Sequence, residues 1–178
     1  YSELIEYNGK FYGMTLNGGS AGLGVIFEWS PLTNTYIKMI DMNAANGSKP
    51  NGSLSFYDGK FYGMTQTGGV NDLGVIFEWD PATNVYTKKI DLNSADGCNP
   101  YGSLTLNGVK FYGMTNLGGT NDKGVIFEWD PVSKKKKKKI DFGTTNGENP
   151  FGRLTYFNGM FYGMTRNGGT NNFGVIFE

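Results

Sequence analysis

Between residues 53 and 92 the apolar and polar positions mark out four short strands. Ser53-Leu54-Ser55-Phe56-Tyr57 alternates, as a half-buried strand does. Asp58-Gly59 follows, a pair that tolerates positive φ and so closes a two-residue hairpin. Residues 60–65 form the second strand, and a loop of about eight residues (66–73) leads to a third at 74–79. Asp80-Pro81-Ala82-Thr83-Asn84 then reads as a turn, because proline presets φ and the flanking Asp and Asn cap it. Residues 85–92 form the fourth strand, and a second long loop, 93–102, leads onward.

This pattern returns with a period of 50 residues, with Phe-Tyr-Gly-Met-Thr starting at Phe11, Phe61, Phe111 and Phe161. In the third copy the turn pair, Asn107-Gly108, sits one position early, which predicts a different turn there. Both faces of the strands are apolar. Val75, Phe77 and Trp79 point one way and Ile76 the other, whereas a lone antiparallel sheet has one wet face. Sheets stacked between like sheets bury both. Four-stranded sheets packed around an axis, at this period, predict an all-β propeller. Three complete blades (1–42, 51–92, 101–142) and an incomplete fourth (151–178) make about three and a half blades. They form a single repeat domain over 1–178, expected to be an arc of a larger ring. Gly63 and its counterparts interrupt the second strand, which predicts a ring packed over each.

Composition sharpens this picture. Thirteen Phe, 11 Tyr and 3 Trp supply an aromatic core, and 28 Gly against 6 Pro suits strands and turns rather than helices. The 16 basic and 16 acidic residues cancel, so no general attraction to nucleic acid is expected. There is no histidine, and Cys98 is the only cysteine, which leaves no disulfide within the chain and no cysteine-cluster metal site. No apolar run reaches the ~20 residues of a membrane span. The chain begins and stops in mid-pattern, which reads as a fragment of a longer protein.

The order Asn-Gly, Lys-Phe-Tyr-Gly, Gly-Gly, Phe-Glu-Trp, Asp-Pro-x-Thr-Asn is similar to a kelch repeat. More closely, Phe61-Tyr62-Gly63-Met64-Thr65, Gly68-Gly69 and Gly74-Val75-Ile76-Phe77 resemble the GloVer tandem repeats of bacterial surface proteins with varied anchors. The resemblance spans the whole chain. It implies a bacterial protein that is secreted or attached to the cell surface, and it implies no reaction.

A meander places the tight turns on one face of each blade and the long loops on the other. Function concentrates on loops held by a rigid scaffold. The long-loop tips also differ between copies: residues 16, 66, 116 and 166 are Leu, Gln, Asn and Arg, and residues 23, 73, 123 and 173 are Leu, Leu, Lys and Phe. The expected ligand-binding positions are Gln66, Thr67, Asn71, Asp72, Asn116, Asn121, Asp122, Arg166, Asn171 and Asn172. The expected function is non-catalytic binding of a glycan or surface protein, the alternatives being a propeller-type carbohydrate-active enzyme or a structural spacer. No catalytic or metal-ligating residue is assigned, and no cofactor is expected. Asp91-x-Asn93-x-x-Asp96-Gly97 matches a calcium loop only loosely and lacks its closing glutamate. The recurrent Glu28, Glu78, Glu128 and Glu178 suggest paired acids. They lie on third strands, away from the axis, and are expected to accept hydrogen bonds from tyrosine or backbone. The inner strands offer Leu54, Phe56, Leu104, Leu106, Leu154 and Tyr156, poor material for acid–base work, and only Glu3 and Glu6, both in the first copy, supply carboxylates. Lys134–Lys139 replaces a regular outer strand, and its like charges predict that blade three has the weakest edge.

Overall fold

The computed structural model describes residues 2–178 and contains strands and turns but no helix among them. Its contacts divide the chain into two compact units, Tyr1–Asp91 and Leu92–Glu178. The architecture is the all-β propeller type, built from four-stranded antiparallel sheets.

The first unit holds two blades. Blade one is β1 (Ile5–Tyr7), β2 (Lys10–Thr15), β3 (Val25–Ser30) and β4 (Thr35–Asp41), and blade two is β5 (Ser55–Tyr57), β6 (Lys60–Thr65), β7 (Val75–Asp80) and β8 (Val85–Asp91). Each sheet keeps sequence order. The Asp58-Gly59 hairpin has φ of 49° and 77°, as a turn with two left-handed residues requires. Tyr12, Met14, Ile26 and Met42 of the blade-one side form one core with Leu54, Phe61, Val75, Phe77 and Trp79 of blade two. Tyr12 is the centre of that contact, with ring centroids 4.9 Å from Phe61 and 5.7 Å from Trp79.

The second unit repeats this plan. Blade three is β9 (Thr105–Asn107), β10 (Lys110–Thr115), β11 (Val125–Trp129) and β12 (Lys136–Asp141). Its first turn does change. Gly108 and Val109 occupy the corner, Asn107 pairs with Lys110, and only Gly108 of the two has positive φ, 62°. Glycine at the first corner position is the signature of a II′ turn. Blade four contains β14 (Thr155–Phe157), β15 (Met160–Asn167) and β16 (Ile176–Phe177). Its fourth strand is β13 (Glu148–Pro150), part of the preceding connector, which pairs with the far end of β15. Earlier connectors make the same contact as single bridges, Ser48 to Thr67 and Cys98 to Leu117.

Along the lysine run the paired register at the edge of blade three is one residue pair shorter, although the Asp130 amide still donates to the Lys135 carbonyl at 3.0 Å. Blades one and two pair their third and fourth strands out to Ser30–Thr35 and Asp80–Val85, but in blade three the pairing stops at Trp129–Lys136. The run also finds partners. Lys136 takes the place of Tyr86, whose hydroxyl donates to the Asn46 carbonyl at 2.8 Å and whose ring stacks on Phe77. The Lys136 ammonium donates to the equivalent carbonyl of Asp96 at 2.5 Å and lies 4.9 Å over the Phe127 ring.

Candidate functional site

Glu28, Glu78 and Glu128 are held, as expected, by tyrosine hydroxyls, whereas Glu178 follows the last strand, Ile176–Phe177, in a blade where Met160 stands in place of the partner lysine. Glu28 accepts from Tyr12 at 2.8 Å and from the Lys10 ammonium at 2.6 Å. Glu78 accepts from Tyr62 at 3.1 Å and Lys60 at 2.9 Å, and Lys89 adds a contact at 3.1 Å. Glu128 repeats the set with Tyr112 and Lys110. Lys89 is a partner that spacing alone does not predict. A register shift beside Ile76–Phe77 breaks the alternation of the outer strand, so neighbouring lysines serve different acids. Lys88 reaches Asp91 at 2.9 Å while Lys89 reaches Glu78. Burial alone would raise the Glu78 carboxyl, but the lysine and tyrosine donors outweigh it and hold it below the ordinary range. A carboxylate fixed in its charged form and enclosed by donors is a poor general acid.

On the long-loop side many of the expected binding residues shape the loops themselves. Asp72, Asp122 and Asn172 sit at φ of 55°, 53° and 57° and accept the amides of Gly68, Gly118 and Gly168 at 2.7–2.8 Å. The Thr67 hydroxyl meets that of Ser48 at 2.8 Å. The Gln66 amide donates to the Lys49 carbonyl, and the Asn116 side chain donates to the Pro150 carbonyl at 3.4 Å. Asn71 and Asn171 lie exposed at loop tips. Arg166 lines a hollow of about 420 Å³ with Phe151, Met164 and Thr165. The loosely calcium-like segment likewise spends its oxygens on the fold. Asn93 caps the Asp96 amide at 2.9 Å, and Asp91 accepts from the Val70 amide and the Lys88 ammonium. Among the described residues no group of three or more His, Cys, Asp or Glu stands ready for a metal.

One place on the long-loop face of blade three is different. A cleft of about 540 Å³ is lined by Asn121 and Lys123 from the β10–β11 loop and by Asp141, Gly143, Thr144, Thr145 and Asn146 from the connector. Its walls are fixed. Asn121 donates to the Phe142 carbonyl at 3.0 Å, and Asn146 accepts the Gly143 amide at 2.7 Å and donates to the Asp141 carbonyl at 3.1 Å. Burial would raise the Asp141 carboxyl, but the Thr120 amide and the Lys138 ammonium hold it below its usual range. Lys123 is anchored on Glu148 at 3.1 Å. Of the sequence-expected binding residues only Asn121 lines this cleft. The rest of its lining has a visible signal: copies one and two carry Asn43 and Asn93 where this copy has Gly143, and Lys123 replaces a leucine.

The Gloeobacter/Verrucomicrobia repeat family matches residues 1–177. The chain belongs to this family. No curated protein matches it. Eighty-six chains of solved structures share its fold. YjhT aligns with TM-score 0.57 at 13% identity, over 91% of this chain and 58% of its own length. TolB from Acinetobacter baumannii aligns with TM-score 0.54 at 13% identity, over 94% and 40%. The tricorn protease aligns with TM-score 0.50 at 12% identity, over 97% and 17%. The chain therefore spans less than two thirds of each of these structures. At such identities the likeness is one of fold. No helix among the described residues is long and apolar enough to cross a membrane.

Proposed function

We propose that this repeat domain is a non-catalytic recognition module, secreted or surface-attached, that binds a glycan through its long-loop face, with the blade-three cleft as the site. The observation that carries this is the cleft's lining: two amides (Asn121, Asn146), two exposed hydroxyls (Thr144, Thr145), an ammonium (Lys123) and a carboxylate (Asp141), set in walls fixed by backbone hydrogen bonds. Such a set offers donors and acceptors at many angles, as a polyhydroxylated ligand needs. A protein epitope is the competing ligand class. The non-catalytic reading is supported by Glu28, Glu78 and Glu128, each closed in by lysine and tyrosine. The extracellular location is supported by the resemblance to surface-protein repeats.

A glycan array with the intact protein, repeated with Asn121→Ala/Thr144→Ala/Thr145→Ala, tests the reading. Saccharide hits that disappear in the variant support it. An empty array together with capture of a surface protein sensitive to the same variant moves the site to protein recognition. Turnover of a polysaccharide by the unmodified protein overturns the non-catalytic reading.

A further inference from the structure

The tight-turn end of blade three reverses the charge found at the same positions of blade two. Blade two has Lys60, Glu78 and Asp80 there, with Asn84, Val85 and Thr87 on the outer strand: one ammonium against two carboxylates. In blade three Lys110, Lys135, Lys136 and Lys137 line a hollow of about 410 Å³ with Glu128 and Asp130. Both carboxylates are already engaged. Glu128 accepts from Lys110 and Tyr112 and lies 3.5 Å from Lys139, and Asp130 accepts the amides of Val132 and Ser133 at 2.9 and 3.1 Å. Lys136 donates to the Asp96 carbonyl. The ammonium groups of Lys134, Lys135 and Lys137 have no ion pair or hydrogen bond among the described residues, and all three side chains are exposed. This exposure belongs to the outer strand and not to the end of the chain. In blade one, which packs against the whole of blade two, the equivalent Asn34, Thr35 and Ile37 are exposed as well.

We infer that this edge binds a linear anionic polysaccharide, whose sulfate or carboxylate groups lie against Lys134, Lys135 and Lys137. Blade one guards the same edge with Lys38 alone, so edge protection does not call for the added lysines. Like charges this close repel, and an anion laid across them relieves the repulsion. Each ammonium is a compact charge with three rotatable donors, suited to anions spaced along a polymer rather than to one planar group held by a fork. Lys136 stands where blades one and two have Tyr36 and Tyr86, so the edge lacks a ring on which a nucleobase would stack. The long-loop cleft lies at the other end of the blade, and a ligand on the lysine edge leaves it open.

Titration calorimetry of the 178-residue chain with dextran sulfate and with polygalacturonate tests this. At least one polymer is expected to bind, with affinity falling about tenfold as salt rises from about 50 to about 200 mM. Lys134→Asn/Lys135→Val/Lys137→Thr restores the blade-two residues, so its strand is kept, and it should bind about tenfold more weakly or not at all. Asn121→Ala/Thr144→Ala/Thr145→Ala, altered only in the long-loop cleft, should bind these polymers as the parent does. Hydrogen exchange in residues 134–140 should slow when the polymer is bound. The inference is overturned if neither polymer binds, if the blade-two variant keeps full affinity, if the cleft variant loses it, or if exchange in residues 134–140 is unchanged. Tighter binding to single-stranded DNA or to phosphatidylglycerol vesicles also overturns it, and would make the edge a nucleic-acid or membrane contact.

Discussion

Gly63 lies directly beneath the ring of Phe77, its cross-strand partner in blade two, so close that a Cβ on Gly63 would come within 2.5 Å of the ring's Cζ. Gly13 with Phe27 and Gly113 with Phe127 repeat the arrangement at 2.8 and 2.6 Å. The glycine costs the strand some intrinsic stability, and the ring uses the space so freed. Gly63→Ala is therefore expected to destabilise the protein by about 1–3 kcal/mol through overpacking. Gly59→Ala has only backbone strain to oppose it, because nothing lies within 4 Å of the position its new methyl group would take. Urea denaturation of the two variants side by side checks this, with Gly63→Ala expected to show the larger loss.

Glu78 makes stability depend on acid. Its folded pKa lies below the ordinary carboxylate value, chiefly because Lys60, Lys89 and Tyr62 donors overcome the cost of burial. A depressed carboxylate stabilises the fold above its unfolded pKa and loses that contribution as pH falls through the folded one. Glu78→Gln is expected to cost about 1–2 kcal/mol at neutral pH, a modest figure because Lys60 stays partly solvated. The gap to the parent protein should close below about pH 4, the range in which unperturbed glutamates titrate. Melting temperatures of both proteins from pH 7 to pH 3 measure it, and a gap that does not change with pH contradicts the assignment.

The architecture was legible because a repeat states each packing rule several times. The glycine–ring contact, the tyrosine–glutamate contact and the hairpin shift at Asn107-Gly108 all follow from local chemistry. Three features were not legible. The strand at Glu148–Pro150 has no strand-like composition and forms only because β15 offers it an edge. The shift beside Ile76 and Phe77 depends on pairing across the sheet, so Lys89 could not be matched to Glu78 from spacing. The cleft is made by a missing side chain at Gly143 in one element and a lysine in another, and only the fold brings Asn121 to both. Loop residues such as Asp72 look like ligand contacts in sequence because the same polar chemistry that binds ligands also closes turns.

Lys134 holds φ of 60°, where blades one and two place Asn34 and Asn84 at 50° and 55°. Asparagine accepts this left-handed geometry more readily than lysine. Asn34 and Asn84 also receive the indole N–H of Trp29 and Trp79, at 3.4 and 3.0 Å, and lysine has no acceptor to offer Trp129. Lys134→Asn is thus expected to stabilise the chain by about 0.5–1.5 kcal/mol. Its effect should appear as slower hydrogen exchange in residues 134–140.

Lys136 gives a pH dependence of the same sign as Glu78, but in the alkaline range. Burial beside Phe127 pushes its ammonium down to about 8 from 10.5. The unfolded chain then binds the proton more tightly than the folded one, so stability rises as pH climbs from about 8 toward 10.5. Lys136→Tyr restores the residue found at Tyr86 and replaces the ammonium with a phenol whose pKa burial raises rather than lowers. The alkaline rise should vanish in this variant, and stability at pH 7 should increase.

Gly143→Asn separates the cleft from the fold. Asn43 and Asn93, at the equivalent positions, each cap a backbone amide at 2.9 Å, those of Asn46 and Asp96. Gly143 does not have positive φ, so an asparagine there meets no backbone strain. Its Cβ would sit 3.0 Å from the Asn121 amide nitrogen, which requires that side chain to move aside within the cleft. The variant is expected to melt within a few degrees of the parent, since the new cap offsets the crowding. It should also lose whatever saccharide binding the parent shows, because the added side chain fills the space between Asn121 and Asn146. Binding that persists in a well-folded Gly143→Asn protein would place the ligand elsewhere on the long-loop face.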